Sequence, residues 1–150
     1  MYIFIGSNSG IGQEVLKLPF GNEKIIALYR NKKPDIKNKN IKFKKFDLKN
    51  DNFSNLIFYL EKQKDKKITL VNFSSIKNDK LSIQITNREF KDTFDINLFN
   101  YFNLIQKILP MLMRNKWGRI INISSTGGLR GEIGTSLYTS SKNASLGLFK

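Results

Sequence analysis

A chain of 150 residues is long enough for one domain with a substantial buried core. It has no cysteine and no histidine. That excludes disulfides and thiolate metal sites, removes imidazole as ligand or general base, and leads us to expect no metal site. Its 26 Lys+Arg against 12 Asp+Glu give a net charge of +14, which would suit a polyanion. The basic stretches, Lys32 to Lys45 and Lys62 to Lys67, carry no recognised nucleic-acid motif with interleaved aromatics. They read as a lysine-rich surface, and a nucleic-acid partner is not expected. No run approaches the ~18 apolar residues of a membrane span, and the N-terminus lacks the pattern of a signal peptide. The expectation is a soluble cytoplasmic protein with no membrane partner.

Residues 2–5, Tyr-Ile-Phe-Ile, form a short apolar strand that runs into Gly6-Ser7-Asn8-Ser9-Gly10-Ile11-Gly12. Gln13 to Leu18 continue as a helix. Strand, glycine-rich turn and helix in this order let backbone N–H groups approach a diphosphate, with the positive end of the helix dipole behind them. Ile25 to Leu28 form a second strand that ends at Tyr29-Arg30-Asn31. An acid at that strand end reads the ribose 2′-hydroxyl of NAD, whereas an arginine accommodates the 2′-phosphate of NADP. No acid lies between Ile25 and Asn31, so Arg30 points to NADP(H) in preference to NAD(H).

Ile41 to Phe46 alternate apolar residues and lysine, as a half-exposed edge strand does. Asp47 and Leu48 follow it. Phe53 to Leu60 have helical spacing, and Ile68 to Val71 form the next strand, ending at Asn72-Phe73-Ser74-Ser75. Thr86-x-x-Glu89 is a capping box for a long helix. Phe90, Phe94, Leu98, Phe102, Ile105 and Leu109 trace its apolar face, with Asn97 beside that stripe. Pro110 and Gly118 bracket its end. Strands alternate with helices throughout, which predicts a doubly wound parallel sheet in an α/β fold.

Residues 119–123 suit a buried strand, with Ser125 just past its end. Tyr138 and Lys142 are four apart and share one face of a helix. A free tyrosine, with a pKa near ~10, is a poor acid–base group at neutral pH. A cation within about 4–6 Å favours its phenolate, and a nearby serine can hydrogen-bond a substrate oxygen.

Together these pieces resemble the short-chain dehydrogenase/reductase family from Met1 to Lys150, most closely its 3-oxoacyl-carrier-protein reductase branch. The resemblance implies a Rossmann-like sheet of five strands in the order 3-2-1-4-5 within one domain, 1–150. It implies an oxidoreductase that moves hydride between NADP(H) and a carbonyl or alcohol. Gly6, Ser7, Asn8, Gly10, Ile11 and Gly12 would form the cofactor turn. Asp47 and Leu48 would lie at the adenine, with Asn72 standing for the first residue of the family's Asn-Asn-Ala-Gly motif. Asn97, Ser125, Tyr138 and Lys142 match the catalytic tetrad, and Tyr138 and Lys142 also hold the cofactor. An inactive nucleotide-binding or interaction module is the alternative.

Two departures stand out. Phe73-Ser74-Ser75 replaces Asn-Ala-Gly, and Ile5 replaces a threonine. The chain stops eight residues after Lys142, before the family's last strands and its substrate-covering segment. Residues 119–123 are therefore expected to form a sheet edge, and the chain to self-associate or take a partner polypeptide.

Overall fold

The structure, a computed structural model, describes residues 1–50, 52–63 and 67–149. Three positions of the basic stretch 62–67 lie outside the described residues. Five strands form one parallel sheet: β1 (Tyr2–Ile5), β2 (Ile25–Tyr29), β3 (Ile41–Lys45), β4 (Thr69–Asn72) and β5 (Arg119–Asn122). Their order is β3-β2-β1-β4-β5, as expected. Helices α1 (Gly10–Leu16), α2 (Phe53–Glu61), α3 (Asn87–Phe94), α4 (Asn100–Arg114), α5 (Gly127–Arg130) and α6 (Ser136–Leu148) connect and follow the strands. Among the described residues, no helix is long and apolar enough to cross a membrane.

β1 lies at the centre, paired with β2 on one side and β4 on the other. Its residues alternate faces. Ile3 and Ile5 join Ile26, Leu28, Leu56, Leu60, Leu104 and Ile108 under α2 and α4. Phe4 joins Ile25, Ala27, Val71, Phe73 and Leu16 on the α1 side. Both faces are covered, which is why the strand reads as a continuous apolar run rather than an alternating one. Phe73 is accounted for here. Its ring packs edge-on against Phe4 at 5.4 Å between centroids and is buried, so the departure from the family motif adds a core aromatic.

Two expectations need correction. α1 begins at Gly10 rather than Gln13 and ends at Leu16. Pro110 sits inside α4, which runs on to Arg114 and so ends between Pro110 and Gly118, as expected. The apolar stripe is also misplaced, because Phe90 and Leu109 are exposed and Phe94, Leu98 and Phe102 only half-buried. The buried face runs through Thr93, Asn97, Tyr101, Leu104, Ile105, Ile108, Met111 and Leu112. Its first two positions are polar; Asn97 there hydrogen-bonds Ser141 of α6, while the Thr93 hydroxyl is buried without a partner. A five-residue π-helical turn, Asp95–Phe99, separates α3 from α4.

Candidate active site

The turn after β1 is built around one close approach. Gly6 has φ +73°, and a Cβ there would stand 2.7 Å from the backbone nitrogen of Ser74. No L side chain fits that conformation and that gap together. Ser9 N donates to Gly6 O at 2.9 Å. Ser9 then caps α1, its Oγ accepting from Gly12 N at 3.0 Å. A Cβ on Gly12 would stand 2.9 Å from Gly6 O, so Gly12 lets the helix seat against the turn. Gly10 meets nothing within 4 Å, and the exposed Ile11 follows it.

A cleft of about 210 Å³ opens beside this turn. It lies at the carboxyl ends of β1, β2 and β4, next to the point where strand order reverses. Open α/β sheets bind ligands there. Gly6, Asn8 and Ser9 form one wall, Arg30, Asn31, Asp47 and Leu48 another, and Ser74, Ser75 and Ile76 a third. Five residues assigned to the cofactor from sequence therefore meet in one cleft: Gly6, Asn8, Arg30, Asp47 and Leu48. Ser7 lies beneath it, fully buried, with N bonded to Leu28 O and an Oγ that has no partner. Asn72 also lies beneath. Its Nδ2 donates to Asn122 Oδ1 and its Oδ1 accepts from Ser74 N, both at 3.0 Å. Asn72 is thus a buried brace between β4, β5 and the cleft wall.

The second half of the site lies past β5. Lys142 is almost wholly buried, and its Nζ donates to Ile123 O at 2.8 Å. Burial pushes its ammonium below the ordinary lysine value. That Nζ stands 5.7 Å from the centre of the Tyr138 ring. Lys77, from the segment between β4 and α3, approaches the same ring at 5.9 Å and pairs with Asp79 at 3.0 Å. Ser125 Oγ accepts from Gly127 N at 3.2 Å. It makes no hydrogen bond to Tyr138.

Asn97 connects these parts. Its Oδ1 accepts from Ile76 N, and its Nδ2 donates to Ile76 O and to Ser141 Oγ. Ser141 Oγ donates in turn to Tyr138 O at 2.7 Å. One side chain ties the third cleft wall to the helix that carries Tyr138 and Lys142. Ser9 was missed as an N-cap because the helix was expected to start at Gln13. Ser141, Asn122 and Lys77 had no signal, because only tertiary contacts give them a place here.

The family model described as short chain dehydrogenase matches residues 1–150. The chain belongs to the short-chain dehydrogenase family. Among curated relatives, 3-oxoacyl-acyl-carrier-protein reductase FabG of Staphylococcus aureus is 40% identical over 81 residues, 54% of this chain and 33% of that protein. The same reductase of Rickettsia bellii is 37% identical over 97 residues, 65% of this chain and 39% of that protein. These matches thus span only about a third of each relative's length. Among solved structures, 4-hydroxyisoleucine dehydrogenase complexed with NADH superposes with a TM-score of 0.85 at 31% identity. It covers 98% of this chain and 64% of that one. The family is one of oxidoreductases, and the five-strand sheet is its Rossmann-like fold.

Proposed function

We propose that this chain binds NADP(H) in the cleft beside Gly6 and carries the acid–base group for hydride transfer between that cofactor and a carbonyl or alcohol. The carrying observation is the pairing on α6: the buried Lys142 ammonium sits 5.7 Å from the Tyr138 ring centre, fixed by Ile123 O at the end of β5. The cleft lies where open α/β sheets bind dinucleotides. Gly6 lets the turn close against Ser74 on the cleft wall, and Arg30 supplies a cation where a 2′-phosphate would lie.

The cofactor, when bound, supplies or accepts the hydride. In reduction, Tyr138 gives its phenolic proton to the carbonyl oxygen while Ser125 Oγ donates a hydrogen bond to the same oxygen. Lys142 stabilises the phenolate left behind, its second role being to bond the cofactor ribose. Asn97 has its amide committed to Ile76 and Ser141, so its side chain positions the site rather than touching substrate.

Tyr138→Phe tests the reading. It should keep NADPH binding and lose at least ~10²-fold in carbonyl reduction, within the usual worth of a general acid. A variant with full activity overturns it. Wild-type binding of NADPH with no turnover on any carbonyl would instead favour a binding module. Calorimetric titration decides cofactor choice: NADPH should bind more tightly than NADH, and Arg30→Ala should erase the difference.

A further inference from the structure

We infer that the Ser74 hydroxyl is a hydrogen-bonding contact for the dinucleotide at the glycine turn. This rests on the reading that the cleft binds such a ligand, and it adds a side-chain contact where the family's motif has alanine. Three observations carry it.

First, Ser74 is held firmly. Its N–H donates to Asn72 Oδ1 at 3.0 Å, and Asn72 is held in turn by Asn122 across the β4–β5 pair. The preceding residue, Phe73, is anchored in the core against Phe4. Second, the hydroxyl is aimed at the turn. A Cβ placed on Gly6 would meet Ser74 Oγ at 2.6 Å, closer than any other atom. The oxygen therefore lies directly against the first glycine, on the wall of the cleft that also holds Asn8, Ser9 and Arg30. Third, none of the protein hydrogen bonds of the described residues uses this Oγ. The Ser9 hydroxyl on the facing turn is committed to Gly12 N, and the unpartnered Ser7 hydroxyl is fully buried beneath the cleft.

A serine hydroxyl both donates and accepts, so it matches ribose hydroxyls and diphosphate oxygens alike. A ligand seated against Gly6 takes water away from this oxygen and must bond it or leave it unpaired. Ser75 lies on the same wall but is exposed, and it is not held by Asn72.

The test is calorimetric titration of NADPH, and separately of ADP-ribose, into the wild-type chain, Ser74→Ala and Ser75→Ala, with thermal midpoints measured alongside. Ser74→Ala should weaken both ligands by about 3- to 10-fold, the range of one neutral hydrogen bond. It should leave the midpoint unchanged, because it removes no internal bond. Ser75→Ala, which removes an exposed hydroxyl from the same wall, should weaken binding less than Ser74→Ala does. Unchanged or tighter binding by Ser74→Ala overturns the inference while leaving the cofactor reading intact. A wild-type chain that binds neither ligand overturns both.

Discussion

Asn97 grips the backbone of Ile76 from both sides, accepting from its N–H at 2.8 Å and donating to its carbonyl at 3.0 Å. The two residues are 21 positions apart, and the grip fixes the segment that carries Ser74, Ser75 and Lys77 against the helix that carries Tyr138. Replacing Asn97 with leucine leaves the Ile76 amide and carbonyl without partners and buries the Ser141 hydroxyl beside an aliphatic chain. The expected cost is about 2–3 kcal/mol, with faster amide exchange across residues 74–80. Denaturant unfolding measures the first, and a loss below about 0.5 kcal/mol would show that the grip is incidental.

The two glycines at the start of α1 should behave differently. Gly12→Ala would push a methyl against Gly6 O and Ser9 Oγ, each 2.9 Å from the new carbon. It should cost roughly 1–3 kcal/mol and weaken dinucleotide binding. Gly10→Ala meets no atom within 4 Å and lies in the first turn of α1, so it should be neutral or stabilise by about 0.4–1 kcal/mol. Equal effects on stability would count against this geometry.

The α3 capping box sets an acid limit. Lys80, with Thr86 behind it, holds the Glu89 carboxyl down to about 2 from 4.5. A depressed carboxyl contributes stability that is present above 4.5 and lost as pH falls towards about 2. Glu89→Gln should therefore flatten this part of the acid limb without changing stability's pH dependence above neutrality. Parallel acid titrations of wild type and variant, followed by circular dichroism, check it; superimposable curves reject it.

Lys142 has the opposite sign. Burial lowers its pKa below 10.5, so over the pH window beneath 10.5 the unfolded chain binds more protons than the folded one. Stability contributed by this residue must rise with pH in that window. Against Lys142→Met, wild type should gain stability as pH climbs from neutrality towards 10.5. A difference that shrinks or stays flat would mean the ammonium is not desolvated. The variant should also lose activity at every pH.

The 150-residue chain should self-associate. β5 pairs with β4, and no strand flanks its other side among the described residues. Ile121 on that edge is exposed, and such edges recruit other strands. Leu98, Phe99 and Phe102 meet Ala144 and Leu148 in an apolar groove. Sedimentation at micromolar concentration should show assemblies. A sharp monomer with cooperative unfolding would show that the five strands suffice alone.

The sequence by itself determined the parallel sheet, because apolar runs of four or five residues alternating with helical segments have few other solutions; the strand order came from the family resemblance of its motifs. It also determined the glycine turn, the Thr86–Glu89 capping box and the Tyr138–Lys142 pair, all of which depend on residues within a few positions of each other. The tertiary structure decided which face of α3 and α4 turns inward. Aromatics at Phe90 and Phe94 outscore Thr93 and Asn97 in any apolar pattern, yet the polar pair is buried, and Asn97 is held there by Ser141, 44 residues beyond it. Ser74 at the glycine turn, Lys77 beside Tyr138 and Asn122 beneath Asn72 were decided the same way. Each contact joins segments brought together only when the sheet closes, and nothing in a local stretch of sequence encodes what the other end of the sheet will supply.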